Sequence, residues 1–113
     1  NMRHCDVLVE GDYLYIFYTI VGDNPESILM CKLKMNKNID EWEVLSTETI
    51  LKPELDYEGV NLPLIPSSFG SSYHPVNQVR DPNVFVDEDD LYLLYSTAGE
   101  MAIGLSKLNK IRK

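Results

Sequence analysis

The chain carries the same hairpin twice. Residues 3–19, RHCDVLVEGDYLYIFYT, align without a gap on residues 80–96, RDPNVFVDEDDLYLLYS, at an offset of 77, and seven of the 17 pairs are identical. With a two-residue slip, SILMCKL (27–33) falls on AIGLSKL (102–108), so the repeated unit has three strands. A supersecondary unit repeated at a fixed period buries its apolar surface against its neighbours, and this requirement constrains the fold more than any local signal.

Each copy reads strand by strand. Residues 7–10 and 84–87 are β-branched and apolar, and the acidic EGD and DEDD segments carry turn chemistry. In 13–19, Leu14, Ile16 and Tyr18 point one way while Tyr13, Tyr15 and Phe17 point the other. A sheet solvated on one face would alternate with polar residues, so both faces are expected to be covered. Residues 27–34 and 102–108 are third strands, 42–51 is a fourth strand for the first copy alone, and KMNKNIDE (34–41) is a polar connection. No helical period extends over a dozen residues. The expected class is all-β, two antiparallel β-propeller-type blades: blade one at about 4–52, a connection at about 53–79, and blade two at about 80–110. Propellers close with about 4–8 blades, so two are a fragment of a ring. Their open edges and faces call for missing N-terminal blades, for self-association, or for a different packing such as a sandwich.

Bulk properties exclude several partners. Ten basic against 18 acidic residues give a net charge of −8, which repels nucleic acid and anionic lipid. No apolar run of about 20 residues spans a membrane, and no signal peptide is visible. Cys5 and Cys31 fit neither zinc spacing nor a disulfide framework, so they read as reduced thiols in a cytoplasmic protein. Neither a cofactor nor a metal is expected. His4, Asp6 and His74 lack ligand spacing, and DEDD lacks the alternation and glycine of a calcium loop. The serines at 67, 68, 71 and 72 lack a nucleophile elbow, and the basic KLNKIRK end reads as a strand end with a solvated tail.

The polar residues gather by topology. In an antiparallel hairpin the start of the first strand lies about 5 Å from the end of the second. His4, Asp6, Asp23 and Glu26 should therefore share one rim, with Arg80, Asp81 and Glu100 at the matching rim of the next unit. The connection runs to the same rim with Glu54, Asp56, Glu58 and Asn61. Carboxylates and amides that grip hydroxyls, aromatics that cover an apolar sugar face, and paired carboxyls for acid–base work together suit a carbohydrate ligand. The same residues also serve as turn caps or as a buried ion pair of Arg80 with Asp81 or Glu100.

The run RDPNVFVDEDDLYLLYSTAGEMAIGLSKL resembles the blade signature of five-bladed β-propeller glycosidases, the group around glycoside hydrolase family 43 and its relatives. The His-x-Asp, Gly-Asp-x-Pro-Glu, Glu-Gly-x-x-Leu-Pro and Arg-Asp-Pro motifs resemble an uncharacterised branch of it. The resemblance implies a funnel on the ring axis and glycoside hydrolysis by two or three carboxylates, most of them on blades that precede these two. The fragment alone would then be inactive and would contribute substrate-holding residues to a longer parent. Asp81 matches the blade-opening Asp. In the first copy His4 holds that position, and Asp6 lies two residues beyond it. Glu58 is the expected acid; His4, Asp6, Asp23, Glu26, Asp56, Asn61, Arg80 and Glu100 are expected to hold the sugar. The alternative is a carbohydrate-binding or self-assembling β module without catalysis.

Overall fold

The computed structural model describes residues 1–108. Seven strands form two antiparallel sheets. β1 (Met2–Glu10), β2 (Tyr13–Ile20), β3 (Ile28–Lys34) and β4 (Glu43–Leu51) make the first sheet in sequence order. β5 (Arg80–Asp87), β6 (Asp90–Thr97) and β7 (Ala102–Lys107) make the second. Short 3-10 turns at Ile39–Glu41 and Asp56–Glu58 interrupt the connections. The fold is all-β, and none of the described residues forms a helix long and apolar enough to cross a membrane. The expected end of the second unit and most of the KLNKIRK tail lie outside the described residues.

The first strand of each copy starts earlier than the apolar pattern predicts, at Met2 and Arg80, because a β-bulge lets pairing continue past the apolar run. The register of β1 on β2 shifts between Arg3 and Asp6, and that of β5 on β6 shifts between Arg80 and Asn83. At each bulge one residue turns to positive φ: His4 at 55° and Asp81 at 53°. The two are equivalent in the repeat, so the bulge is repeated although the residue on it is not. Non-glycine residues at such φ are held there by their surroundings, and bulges re-aim side chains.

The two sheets stack face to face, and the choice of faces is asymmetric. The covered face of the first sheet carries Tyr15, Phe17, Ile28 and Met30. The covered face of the second carries Val84, Leu93 and Tyr95. Tyr15 and Phe17 correspond in the repeat to Tyr92 and Leu94, which lie on the opposite, outward face of β6. Equivalent sheets thus pack front to back rather than front to front. On β7 the inward positions are the small residues Ala102, Gly104 and Ser106. A Cβ at Gly104 would sit 2.7 Å from the Tyr95 ring, so glycine is what lets that ring lie over its partner strand.

Within this chain one face of each sheet is covered and the other is open. β6 alternates buried Leu91, Leu93, Tyr95 and Thr97 with half-buried Tyr92, Leu94 and Ser96. The outward faces are apolar all the same: Val7, Val9 and Val44 lie open on the first sheet, and Phe85, Ile103 and Leu105 on the second. The apolar pattern records surface able to be buried, and two sheets in contact can cover only one face each.

The face assignment predicts unequal mutational costs. Leu93 is fully buried and Leu105 is 53% exposed. Urea unfolding should show Leu93→Ala losing about 2–5 kcal/mol, whereas Leu105→Ala should stay within about 0.5 kcal/mol of the parent.

Candidate functional site

The rim that carries the bulges is built on one buried carboxylate. Glu26, fully buried, follows β2 and meets an arginine from each copy of the repeat. Arg3 donates from Nη2 to Glu26 Oε1 at 2.7 Å and from Nε to Oε2 at 3.0 Å. Arg80 Nε approaches Oε1 at 2.9 Å. Arg3 and Arg80 are an identical pair of the repeat, so one acid from the first unit ties together the same position of both sheets. Each guanidinium also holds the connection as it crosses the rim: Arg3 Nη1 donates to the Ser68 carbonyl at 3.0 Å, and Arg80 Nη1 to that of Gly70 at 3.3 Å. Arg80 is further held by the buried Gln78 side chain and by Glu100, 3.6 Å away. The bond to Glu26 raises the Arg3 pKa against the opposing effect of burial, and the charges of Asp81 and Glu100 add to the rise. Val79 N–H donates to the Glu26 carbonyl at 2.9 Å, which fixes the end of the connection as well.

Above this ion triad the two bulge residues face each other. His4 Nε2 lies 3.4 Å from Asp81 Oδ1. Each is braced by the equivalent hydroxyl of its own second strand: His4 Nδ1 by Thr19 Oγ1 at 3.2 Å, and Asp81 Oδ2 by a hydrogen bond from Ser96 Oγ at 2.8 Å. Asp81 is 45% exposed, so its carboxylate reaches solvent. An imidazole and a carboxylate in this arrangement can pass a proton between them, and together they can accept and donate hydrogen bonds to a ligand hydroxyl.

The other expected site residues are dispersed. Asp6 joins the two sheets instead: Oδ2 accepts from the Val84 N–H at 2.7 Å and Oδ1 from the Val7 N–H at 2.9 Å. It therefore satisfies backbone donors at both bulged strands. Asp56 accepts from Asn61 Nδ2 at 3.0 Å within an exposed turn, and neither touches the rim pair. Glu100 accepts from the Ser72 N–H at 3.1 Å and so anchors the Gly/Ser segment. Asp23 lines a cleft of about 400 Å³ beside the end of β4, with Asn24, Thr49, Lys52 and Glu54. Burial first, and then the Glu26 charge, raise its pKa.

Glu58, the expected acid, lies inside the fold and not open at the rim. Glu58 is 3% exposed, and its carboxylate is bonded internally. Oε1 accepts from the Glu54 and Leu55 N–H groups at 3.1 and 3.0 Å, and Oε2 accepts from the Tyr95 hydroxyl. Its carbonyl accepts from the Ala98 N–H at 3.0 Å. Burial, with the Glu58 bond next, pushes the Tyr95 phenol well above its ordinary range, so Tyr95 remains a donor. Glu58 fastens the connection to the second sheet. The neighbouring Gly59, at φ 98°, enables this turn: a Cβ there would lie 2.6 Å from the Val76 carbonyl.

Sequence reasoning passed over Arg3, Thr19, Ser96 and Gln78. The signal for three of them was in the repeat, since Arg3/Arg80 is an identical pair and Thr19/Ser96 a conservative one. Gln78, just before the second copy, had no such counterpart. Among the described residues no three His, Cys, Asp or Glu side chains converge as metal ligands. Cys5 and Cys31 are free thiols.

No family model matches the chain, and no solved structure matches it. It is 44% identical over 110 residues to an uncharacterized protein of Acanthamoeba polyphaga mimivirus. That match takes in 96% of this chain and 31% of the viral protein, so the chain spans about a third of the length of its curated relative.

Two outcomes follow from the electrostatics. Glu26→Ala leaves two largely buried guanidinium groups without their shared acid, and chemical denaturation should show a loss of about 3–5 kcal/mol. Asp23 acts in the opposite sense. Its folded-state pKa lies above the ordinary 3.8, so its ionised form is disfavoured by folding. That cost is absent below the ordinary value, develops between it and the raised one, and is complete above both. Asp23→Asn should therefore raise the melting temperature at neutral pH, and the gain should vanish as the pH falls below the ordinary carboxylate range.

Proposed function

We propose that the two sheets are adjacent blades of a five-bladed β-propeller of the glycosidase-like kind, and that the His4–Asp81 rim forms part of its carbohydrate site. The carrying observation is the meeting of two bulge residues from equivalent strand starts, 3.4 Å apart, on a rim held by Arg3, Glu26 and Arg80. Front-to-back stacking supports the blade reading, because a heterologous contact repeated around an axis generates a ring. In a ring of this kind the first strand of each unit lies nearest the axis, and β1 is packed beside β5 here.

In this reading Asp81 is the acid–base carboxylate that reaches the ligand, and His4 is its hydrogen-bonding partner. Glu26 and the two arginines are positioning residues. Hydrolysis of a glycoside needs a second carboxyl across the bond, about 5–10 Å away. Asp6, Glu26 and Glu58 are engaged internally, so that second group would come from other blades of a longer protein. The same observation favours a second reading, in which the rim binds sugar without turnover.

Glycan binding and glycoside hydrolysis by the longer protein test both readings. If Asp81 is catalytic, Asp81→Asn should lower turnover by about 100-fold or more while the fold survives. If the site only binds, calorimetry should show Asp81→Asn weakening glycan affinity with no turnover in the parent. Wild-type turnover and affinity in Asp81→Asn would remove the rim from the function.

A further inference from the structure

The direction of each hydrogen bond at the rim follows from what each group can donate or accept. A carboxylate only accepts, so a favourable contact of Asp81 Oδ1 with His4 Nε2 at 3.4 Å needs a proton on Nε2. A neutral imidazole then carries its lone pair on Nδ1, which lies 3.2 Å from Thr19 Oγ1. Thr19 is fully buried, so its hydroxyl proton has to find an acceptor inside the fold. Two are within reach: Nδ1, and the Arg3 carbonyl at 3.5 Å, which is the outer limit of a hydrogen bond. The nearer is Nδ1. The repeat supports the same direction, because the equivalent Ser96 hydroxyl donates to Asp81 Oδ2 at 2.8 Å. The opposite tautomer would set the Nε2 lone pair against a carboxylate.

We infer that Thr19 is a positioning residue of this rim: its hydroxyl donates to His4 Nδ1, holds the imidazole as the Nε2–H tautomer, and so makes Asp81 the accepting member of the pair. Which ring nitrogen of a histidine carries the proton is set by the bond that the other nitrogen makes. Asp81 then receives one donor from each sheet, the imidazole on Oδ1 and Ser96 on Oδ2. Its side chain is 45% exposed, so its remaining lone pairs are open to a donor on the ligand, a sugar hydroxyl or an attacking water. Asp81 is thereby the base of the site, and a proton donor to the ligand comes from elsewhere. The nature of the ligand rests on the proposed carbohydrate site; the tautomer does not depend on it.

Nitrogen-15 NMR of the imidazole rings in the 113-residue chain tests this with no ligand present. The chain has two histidines, and His74→Gln at an exposed position leaves His4 as the only ring observed. At about pH 8.5, above the ordinary imidazole range, Nε2 should carry the proton and Nδ1 should show the resonance of an unprotonated nitrogen that accepts a hydrogen bond. Thr19→Val keeps the shape of the side chain and removes the donor, so Nδ1 should shift to the position of a nitrogen without a bond. Thr19→Ser should restore it, which a loss of packing alone would not predict. A proton on Nδ1, alone or together with one on Nε2, would overturn the inference. So would an Nδ1 resonance that Thr19→Val leaves in place or that Thr19→Ser does not restore. Thr19→Ala takes the place of Thr19→Val if circular dichroism shows that the latter does not fold, and the wild-type spectrum decides the tautomer without either. A longer protein that binds no glycan would remove the sugar site and leave the ring as the NMR finds it.

Discussion

Glu26 is the residue on which the arrangement of the two units depends. A fully buried carboxylate is costly unless its charge and lone pairs are met, and here two arginines meet both oxygens. Those arginines are the same position of two copies of one repeat, so satisfying Glu26 also fixes how far apart, and at what height, the two sheets sit. The guanidinium groups then use their remaining donors on the Ser68 and Gly70 carbonyls, which holds the long connection across the rim. Apolar contact between the sheets is non-directional and would tolerate a slide; the ion triad does not.

The bulges turn that fixed geometry into a meeting of two polar side chains. A regular strand start would place the side chains of residues 4 and 81 on the pleat of their own sheets. Positive φ at both positions re-aims them, and His4 and Asp81 meet across the gap between sheets. Thr19 and Ser96 brace the pair from equivalent places. The scaffold is therefore repeated down to its hydroxyls, while the residue on the bulge differs between copies.

Much of the fold was legible in the sequence. The strand cores, the acidic turns and the fourth strand of the first unit all follow from residue patterns that need no long-range partner. The site was less so. Asp6, Asp23, Glu26 and Glu58 are all acidic residues near strand ends, and nothing local separates a carboxylate that receives backbone N–H groups from one that meets solvent. Glu58 illustrates the difficulty: its partners at Glu54 and Leu55 are local, but its third donor is the Tyr95 hydroxyl, 37 residues away in sequence. Arg3 was in plain view as an identical pair and passed over, because its partner at Glu26 lies in a segment the repeat does not align.

By itself the sequence determined an all-β chain made of one three-strand unit used twice, since the alternation of side chains and the turn residues are set by bonds between near neighbours. Only the tertiary structure decided which faces meet, front to back, and which acids are consumed in holding the connection. Both choices depend on contacts across the gap between sheets, where a carboxylate's role is set by the donors that happen to reach it. Asp81 stays exposed while, among the described residues, a hydroxyl from its own sheet braces it and the imidazole opposite faces it.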